Sequence, residues 1–158
     1  MIHIKAPDNF VEVLEEHNDK HSIFLAGSIE QGKAIEWQES VAEQFKNSDV
    51  IILNPRRLNW DATWKQNISD PNFNKQVNWE MDALEYADHI LMYLEPSTMA
   101  PISLLELGLS ALPGKIWVCC PEGYWRRGNV QITCFRNDIP LYNNLDQMIK
   151  EFREDFNL

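Results

Sequence analysis

The segment I-F-L-A-G-S, residues 23–28, indicates the fold class of this chain. Its first four residues are all apolar, and the run ends in a turn of small residues. A short run that is apolar at every position is typical of a strand buried on both faces, as in a parallel sheet. Three similar runs come later in the chain, and each is followed by turn residues: V-I-I-L at 50–53, I-L-M-Y-L at 90–94 and I-W-V-C-C at 116–120.

Segments with helical periodicity separate these runs. We predict helices at 34–46, 73–87, 104–112 and 144–153. The second of them is predicted to pack around Val77, Met81, Leu84 and Ala87. A further short strand is predicted at 131–134. Strands that alternate with helices predict an α/β protein with one open parallel sheet of four or five strands and helices on both faces.

Length and composition limit the functions that this chain can have. Its 158 residues suit a single domain, 1–158, and its formal net charge of −10 argues against a nucleic-acid polymer as partner. No apolar run reaches the roughly 18 residues that span a bilayer, and the N-terminal M-I-H-I-K-A-P-D is too polar for a signal peptide. The sequence therefore predicts a soluble cytoplasmic protein without a membrane partner. Cys119, Cys120 and Cys134 are interpreted as buried free thiols.

Ligands of open parallel sheets bind beyond the carboxyl ends of the strands, so the turns there are the candidate ligand-binding segments. Gly27 and Ser28 follow the first strand, where small side chains let a ligand approach the backbone; the alternative is a tight turn with Ser28 as a helix cap. Arg56 and Arg57 follow the second strand. Their planar guanidinium groups suit a carboxylate, a phosphate or a stacked base, and the alternative is a solvated pair. Both interpretations stay open.

Tryptophan is abundant, with six residues in the chain. Trp60 and Trp64 lie in W-D-A-T-W, soon after the two arginines. They form either an aromatic wall of a pocket or a cover over the core.

Glu106 lies in the otherwise apolar segment P-I-S-L-L-E-L-G-L-S-A-L, residues 101–112. Two interpretations remain open from the residues alone. Ser103 and Glu106 have the spacing of a capping box, in which the acid stabilises a helix start. Alternatively, Glu106 shares an apolar helix face with Ile102 and Leu109, where a desolvated carboxylate suits a nucleophile or a general base.

Two further acids, Glu80 and Asp82, lie in N-W-E-M-D in the middle of the helix predicted at 73–87. Helical periodicity alone favours solvated surface carboxylates at these positions.

An ordered series of short motifs gives the chain a resemblance to the nucleoside 2-deoxyribosyltransferase-like family, over roughly residues 24–145. The first five motifs are F-L-A-G-S-I from Phe24, W-Q from Trp37, N-P-R-R from Asn54, W-D from Trp60 and W-K-Q from Trp64. The others are Q-V-N-W-E from Gln76, A-D-H-I from Ala87, S-L-L-E-L-G from Ser103, C-P-E-G from Cys120 and R-G-N-V from Arg127.

The resemblance implies a flavodoxin-like or Rossmann-like α/β fold and cleavage of the N-glycosidic bond of a 2′-deoxynucleoside or its 5′-monophosphate. In the family, a glutamate of an E-L-G segment attacks the anomeric carbon, and a second nucleobase or water then releases the sugar. Glu106 matches this nucleophile. Glu80, eight residues before Asp88, matches an acid that contacts the sugar or base, and Asp82 is the second choice.

The resemblance also implies the binding partners and the remaining site residues. Gly27 and Ser28 match a ligand-contacting loop, and the partners are a small-molecule nucleoside or nucleotide and a free nucleobase. The chemistry needs no metal or organic cofactor, because one carboxylate captures the sugar cation and another acid can protonate the leaving base. Trp37, Trp60 and Trp64 are candidates to stack on the base.

The chain departs from the better-studied members of the family in two places. P-I-S-L-L, residues 101–105, replaces a small, glycine-rich run before the nucleophile. In those enzymes a neighbouring subunit completes the site, which implies a homo-oligomer, and Asn129 in R-G-N-V is the candidate for this residue. Arg56 and Arg57 suit a 5′-phosphate. The alternative functions are a non-catalytic nucleotide-binding module and an NAD-cleaving glycohydrolase.

Overall fold

The computed structural model describes residues 1–29, 34–57, 61, 63–112 and 114–158. Within these ranges the strands are β1 (Ile2–Lys5), β2 (His21–Gly27), β3 (Val50–Asn54), β4 (His89–Tyr93), β5 (Ile116–Cys119) and β6 (Leu141–Tyr142). The helices are α1 (Val11–Glu16), α2 (Trp37–Gln44), α3 (Pro71–Tyr86), α4 (Pro101–Leu109), α5 (Arg127–Arg136) and α6 (Leu145–Asp155).

The strands form one parallel sheet in the order β1-β3-β2-β4-β5-β6. Without the edge strand β1, this is the flavodoxin-like order, with the topological switch point between β2 and β4. The predicted fold class is therefore confirmed. The described sheet has six strands rather than four or five, because both edge strands escaped prediction: β1 is only partly buried and β6 has two residues.

The four central strands are buried on both faces, which explains their continuous apolar sequences. In β2, Phe24 and Ala26 face one core, together with Leu53 and Met92 of neighbouring strands. Leu25, the residue between them in β2, faces the other core. The first core is covered by α3, α4 and α5, and the second by α2 and α6.

The strand predicted at 131–134 is wrong, because these residues lie inside α5. Val130 and Cys134, one helical turn apart, are the buried residues of this helix, whereas Ile132 is exposed. The β-branched residues of this segment locally favour a strand. The segment is nevertheless helical, because Val130 and Cys134, four positions apart, lie on one helix face and pack on the sheet.

The predicted core face of α3 is only partly correct. Leu84 and Ala87 are buried as predicted, but Val77 and Met81 are exposed, and Gln76, Trp79 and Ala83 are buried in their place. Trp79 sets this orientation, because its ring packs edge-on against Phe10 at 5.2 Å between ring centroids and against Phe24 at 6.3 Å. Rotation of the helix by this packing turns Gln76 and Glu80 inward.

The three cysteines are free and buried, as predicted. Cys119 ends β5, Cys120 follows it, and Cys134 lies in α5. None of the helices in the described part of the chain combines the length and the apolar character that crossing a membrane would need.

Candidate active site

The switch point of the sheet lies where β2 and β4 end. Gly27, the last residue of β2, pairs with Tyr93, the last residue of β4, and has φ of 135°. A Cβ atom at Gly27 would lie 2.2 Å from the carbonyl oxygen of Tyr93. Only glycine therefore fits this close approach of the two central strands.

Ser28 follows Gly27 and is completely buried. Its hydroxyl lies 2.6 Å from the Thr98 hydroxyl and accepts a hydrogen bond from the Glu95 main-chain N–H. These bonds hold the loop that leads from β4 to α4. Ser28 is not the cap of α2, which starts at Trp37 after its N-cap Glu36. The predicted ligand contact of Ser28 stays a prediction.

Glu106 lies in the second turn of α4, and the capping-box interpretation is wrong. The helix begins at Pro101 after the N-cap Ala100, which has φ of 41°, and no side chain caps it. Ser103 is a buried residue within the helix. The acid therefore does not stabilise the helix start.

The surroundings of Glu106 also differ from the predicted apolar face. Glu106 is only 7% exposed, whereas Ile102 and Leu109 are 60% and 57% exposed. The acid is buried together with Ser103 and Leu107, and the two apolar residues lie on the outer side of the helix. The prediction of a desolvated carboxylate is nevertheless correct, because the neighbouring elements exclude water from it.

Glu80 of α3 and Glu106 of α4 influence each other electrostatically. Burial, together with a smaller effect of the Glu80 charge, raises the pKa of Glu106 to about 8. Burial raises the pKa of the half-buried Glu80 to about 7, against the opposing effect of a hydrogen bond from Gln76. The pKa values of both carboxyl groups are therefore raised to near neutral pH, and their titrations are coupled.

Gln76 connects Glu80 to the loop after β3. Its amide Nε2 donates to the Glu80 carboxyl at 2.8 Å and to the Pro55 carbonyl at 2.9 Å. Its Oε1 accepts from the Arg57 guanidinium at 3.4 Å, and that guanidinium lies 4.7 Å from the centre of the Trp64 ring. Sequence reasoning missed Gln76, although its position one helical turn before Glu80 was visible.

The other predicted arginine, Arg56, is used within the protein. Its guanidinium donates to the main-chain carbonyls of Ala34 and Ile35, both at 2.9 Å, and lies 3.9 Å from Glu36. Arg56 thus ties the loop after β3 to the segment before α2. Of the two arginines, Arg57 is the one connected to the carboxyl pair.

The other predicted ligand residues make no hydrogen bond to either glutamate within the described part of the chain. Trp37, the first residue of α2, is buried in the second core, where its indole N–H donates to the Ser28 carbonyl. Asp82 is exposed on α3. Asn129 is exposed on α5 and lines a groove of about 350 Å³ with Leu104, Leu107 and other residues that do not include either glutamate. Trp60 lies outside the described residues.

Metal ligation has no evident site in the part of the chain that the structure describes. No group of three or more His, Cys, Asp or Glu side chains there could hold a metal ion.

Fold and site together define an α/β protein of flavodoxin-like topology with a buried pair of carboxyl groups on the two helices that flank the switch point. Residues 20–124 match the model of the family described as nucleoside 2-deoxyribosyltransferase like, and the chain belongs to this family. The matched range includes β2 to β5 and both glutamates. No match is found among curated proteins.

Proposed function

We propose that this protein cleaves the N-glycosidic bond of 2′-deoxynucleosides or their 5′-monophosphates through a covalent glycosyl intermediate on Glu106. The observation that supports this most strongly is the buried pair of Glu80 and Glu106, whose pKa values are raised to about 7 and about 8. Two carboxyl groups that titrate near the working pH are suited to divide the work between a nucleophile and a proton donor.

The reaction would proceed in two balanced steps. A carboxylate oxygen of Glu106 bonds to C1′ as the bond from C1′ to the base nitrogen breaks, and the electron pair of that bond stays on the base. Glu80 donates a proton to the leaving base and becomes a carboxylate. A second base or a water molecule then attacks C1′, gives its proton to Glu80 and frees Glu106, so that the configuration at C1′ is retained.

The ligand-free protein favours the opposite distribution of the shared proton. Burial raises the pKa of both carboxyl groups, and the charge of Glu80 raises that of Glu106 further, so the shared proton lies preferentially on Glu106. Positive charge that develops on the sugar stabilises the Glu106 carboxylate and lowers its pKa. Substrate would therefore help to move the proton to Glu80, where the leaving base needs it.

The loop after β3 would supply the contacts to the rest of the substrate. Arg57 lies over Trp64 and bonds to Gln76, so a cation and an aromatic ring lie beside the network that holds Glu80. A guanidinium suits a 5′-phosphate, and an indole ring suits a base. Arg56 would shape this loop rather than bind substrate, because main-chain carbonyls hold its guanidinium.

The test is incubation with purine and pyrimidine 2′-deoxynucleosides and their monophosphates, with and without a free base, followed by chromatography. We expect base release or exchange by the wild type and a loss of roughly 10³-fold or more in Glu106→Ala. Glu85→Gln, an exposed glutamate of α3, is the matched control and should keep full activity. Equal rates for wild type and Glu106→Ala would eliminate the proposed nucleophile.

Two outcomes of this assay would favour the alternative functions. Ligand-induced thermal stabilisation without any turnover would indicate a nucleotide-binding module, because a ligand that binds only the folded state stabilises it. Release of nicotinamide from NAD, tested in parallel, would indicate an NAD-cleaving enzyme.

We further propose that the protein acts as a homo-oligomer. The outer sides of α4 and α5 carry exposed apolar side chains, among them Leu105, Leu109, Ile132 and Phe135, the last of which is 85% exposed. Apolar side chains grouped in this way are typical of surfaces that are covered by another protein molecule. A second copy of this chain is the proposed cover.

A further inference from the structure

We propose that Gln76 is a positioning residue whose amide holds the Glu80 carboxyl as a hydrogen-bond acceptor and thereby sets which glutamate of the pair carries the shared proton. The effect on turnover rests on the proposed function. The effect on the proton itself does not, and it can be measured without substrate.

The contacts of Gln76 leave its amide one orientation. The Glu80 carboxyl and the Pro55 carbonyl are both acceptors, so the amide nitrogen must face them with its two N–H groups. The Arg57 guanidinium is a donor and requires the amide oxygen on its side. A flipped amide would lose all three bonds. Gln76 is 2% exposed, so water does not replace these partners.

This orientation distinguishes the two glutamates. Glu80 receives an N–H donor, which stabilises its charged form. No hydrogen bond from a described residue reaches the Glu106 carboxyl, which is also the more deeply buried of the two. The charged groups in this network are Glu106 from α4 and Arg57 from the loop after β3, the latter acting through Gln76. The proton is therefore held on Glu106 when no substrate is bound.

The contact with Pro55 gives this arrangement its rigidity. Pro55 follows the last residue of β3, so Gln76 joins the end of a central strand to a side chain one turn further along α3. An amide anchored at both ends keeps the Glu80 oxygen in place while the loop around Arg57 binds or releases a ligand. Glu80 is then ready to receive the proton from Glu106 without a search over rotamers.

The test is a carbon-13 NMR titration of protein labelled at the glutamate side-chain carboxyls, with Glu80 and Glu106 assigned from Glu80→Gln and Glu106→Gln. In the wild type we expect the titration midpoint of Glu80 to lie below that of Glu106. In Gln76→Met, which keeps the length of the side chain but cannot donate, the midpoint of Glu80 should rise by about one pH unit. That of Glu106 should fall, because Glu80 is less often charged.

Asn78→Met is the matched control, since Asn78 is an exposed amide of α3 that bonds to Asn74. It should leave both midpoints unchanged. A folded Gln76→Met with unchanged midpoints would show that Gln76 only supports the fold and would overturn the inference. If Gln76→Met does not fold, the wild-type titration decides alone, because a Glu80 midpoint above that of Glu106 contradicts it. If the midpoints shift as expected but neither the wild type nor any variant releases base, the inference about Gln76 is supported and the proposed function is contradicted.

Discussion

Replacement of Glu106 by glutamine should stabilise the protein at alkaline pH. Glutamine has nearly the same shape as glutamate but carries no charge at any pH. Glu106 is 7% exposed, so its carboxylate loses most of its hydration on folding. The wild type must therefore either bind a proton or bury a charge when it folds, and Glu106→Gln avoids both.

The magnitude follows from the pKa of Glu106, which burial raises from 4.5 to about 8. A group whose pKa is higher in the folded state contributes stability that is fully present below the unfolded value and is lost as pH rises through the folded value. The loss for Glu106 thus falls between about pH 4.5 and pH 8. At about 1.4 kcal/mol per pH unit it amounts to about 5 kcal/mol, of which Glu80 supplies a part through its charge.

The assay is urea unfolding of wild type, Glu106→Gln and the exposed control Glu85→Gln at pH 5 and pH 8.5. We expect Glu106→Gln to be more stable than the wild type at pH 8.5, by up to about 5 kcal/mol in the free energy of unfolding, and close to it at pH 5. The control should follow the wild type at both values. If Glu106→Gln loses stability with pH as steeply as the wild type does, then Glu106 is not a buried acid and the reasoning is refuted.

Two other perturbations test the architecture of the site and the proposed assembly. Gly27→Ala should lower the free energy of unfolding by about 3 kcal/mol or more in thermal or urea melts. The added Cβ would lie 2.2 Å from the Tyr93 carbonyl oxygen, at a φ of 135°. An unchanged melting temperature would contradict the close approach of the two strands. The double variant Leu109→Ser, Phe135→Ser should reduce the mass measured by light scattering to that of one chain, since both side chains are exposed and apolar. The control is Tyr86→Ser, a change at an exposed aromatic residue outside α4 and α5. An unchanged mass in the double variant would exclude this surface as the contact between subunits.

Central and edge strands differ in how well local sequence predicts them. The four central strands were predicted because each is covered on both faces and therefore apolar at every position. β1 alternates with polar residues and pairs only with β3, and β6 pairs only with β5. Edge strands of this kind lack the continuous apolar signal, so their existence depends on the strand beside them.

Helix faces were harder to predict than helix positions. Val77, Met81, Ile102 and Leu109 are apolar, and periodicity assigned them to the core, but all four are exposed. The structure instead turns Gln76, Glu80 and Glu106 inward. An apolar stripe can face a core or a second protein molecule, and local periodicity does not distinguish between these environments.

The sequence by itself determined the fold class, the central strands, the small residues at the switch point and, through its motifs, the family and the two glutamates as candidates. Only the tertiary structure decided that Glu80 and Glu106 influence each other, that Gln76 holds one of them, and that Arg57 rather than Arg56 joins this network. The reason is physical. A buried strand is visible in the sequence because its consecutive residues are all apolar. Desolvation and the coupling of two charges depend instead on how α3 and α4, which are separate segments of the chain, pack against the sheet.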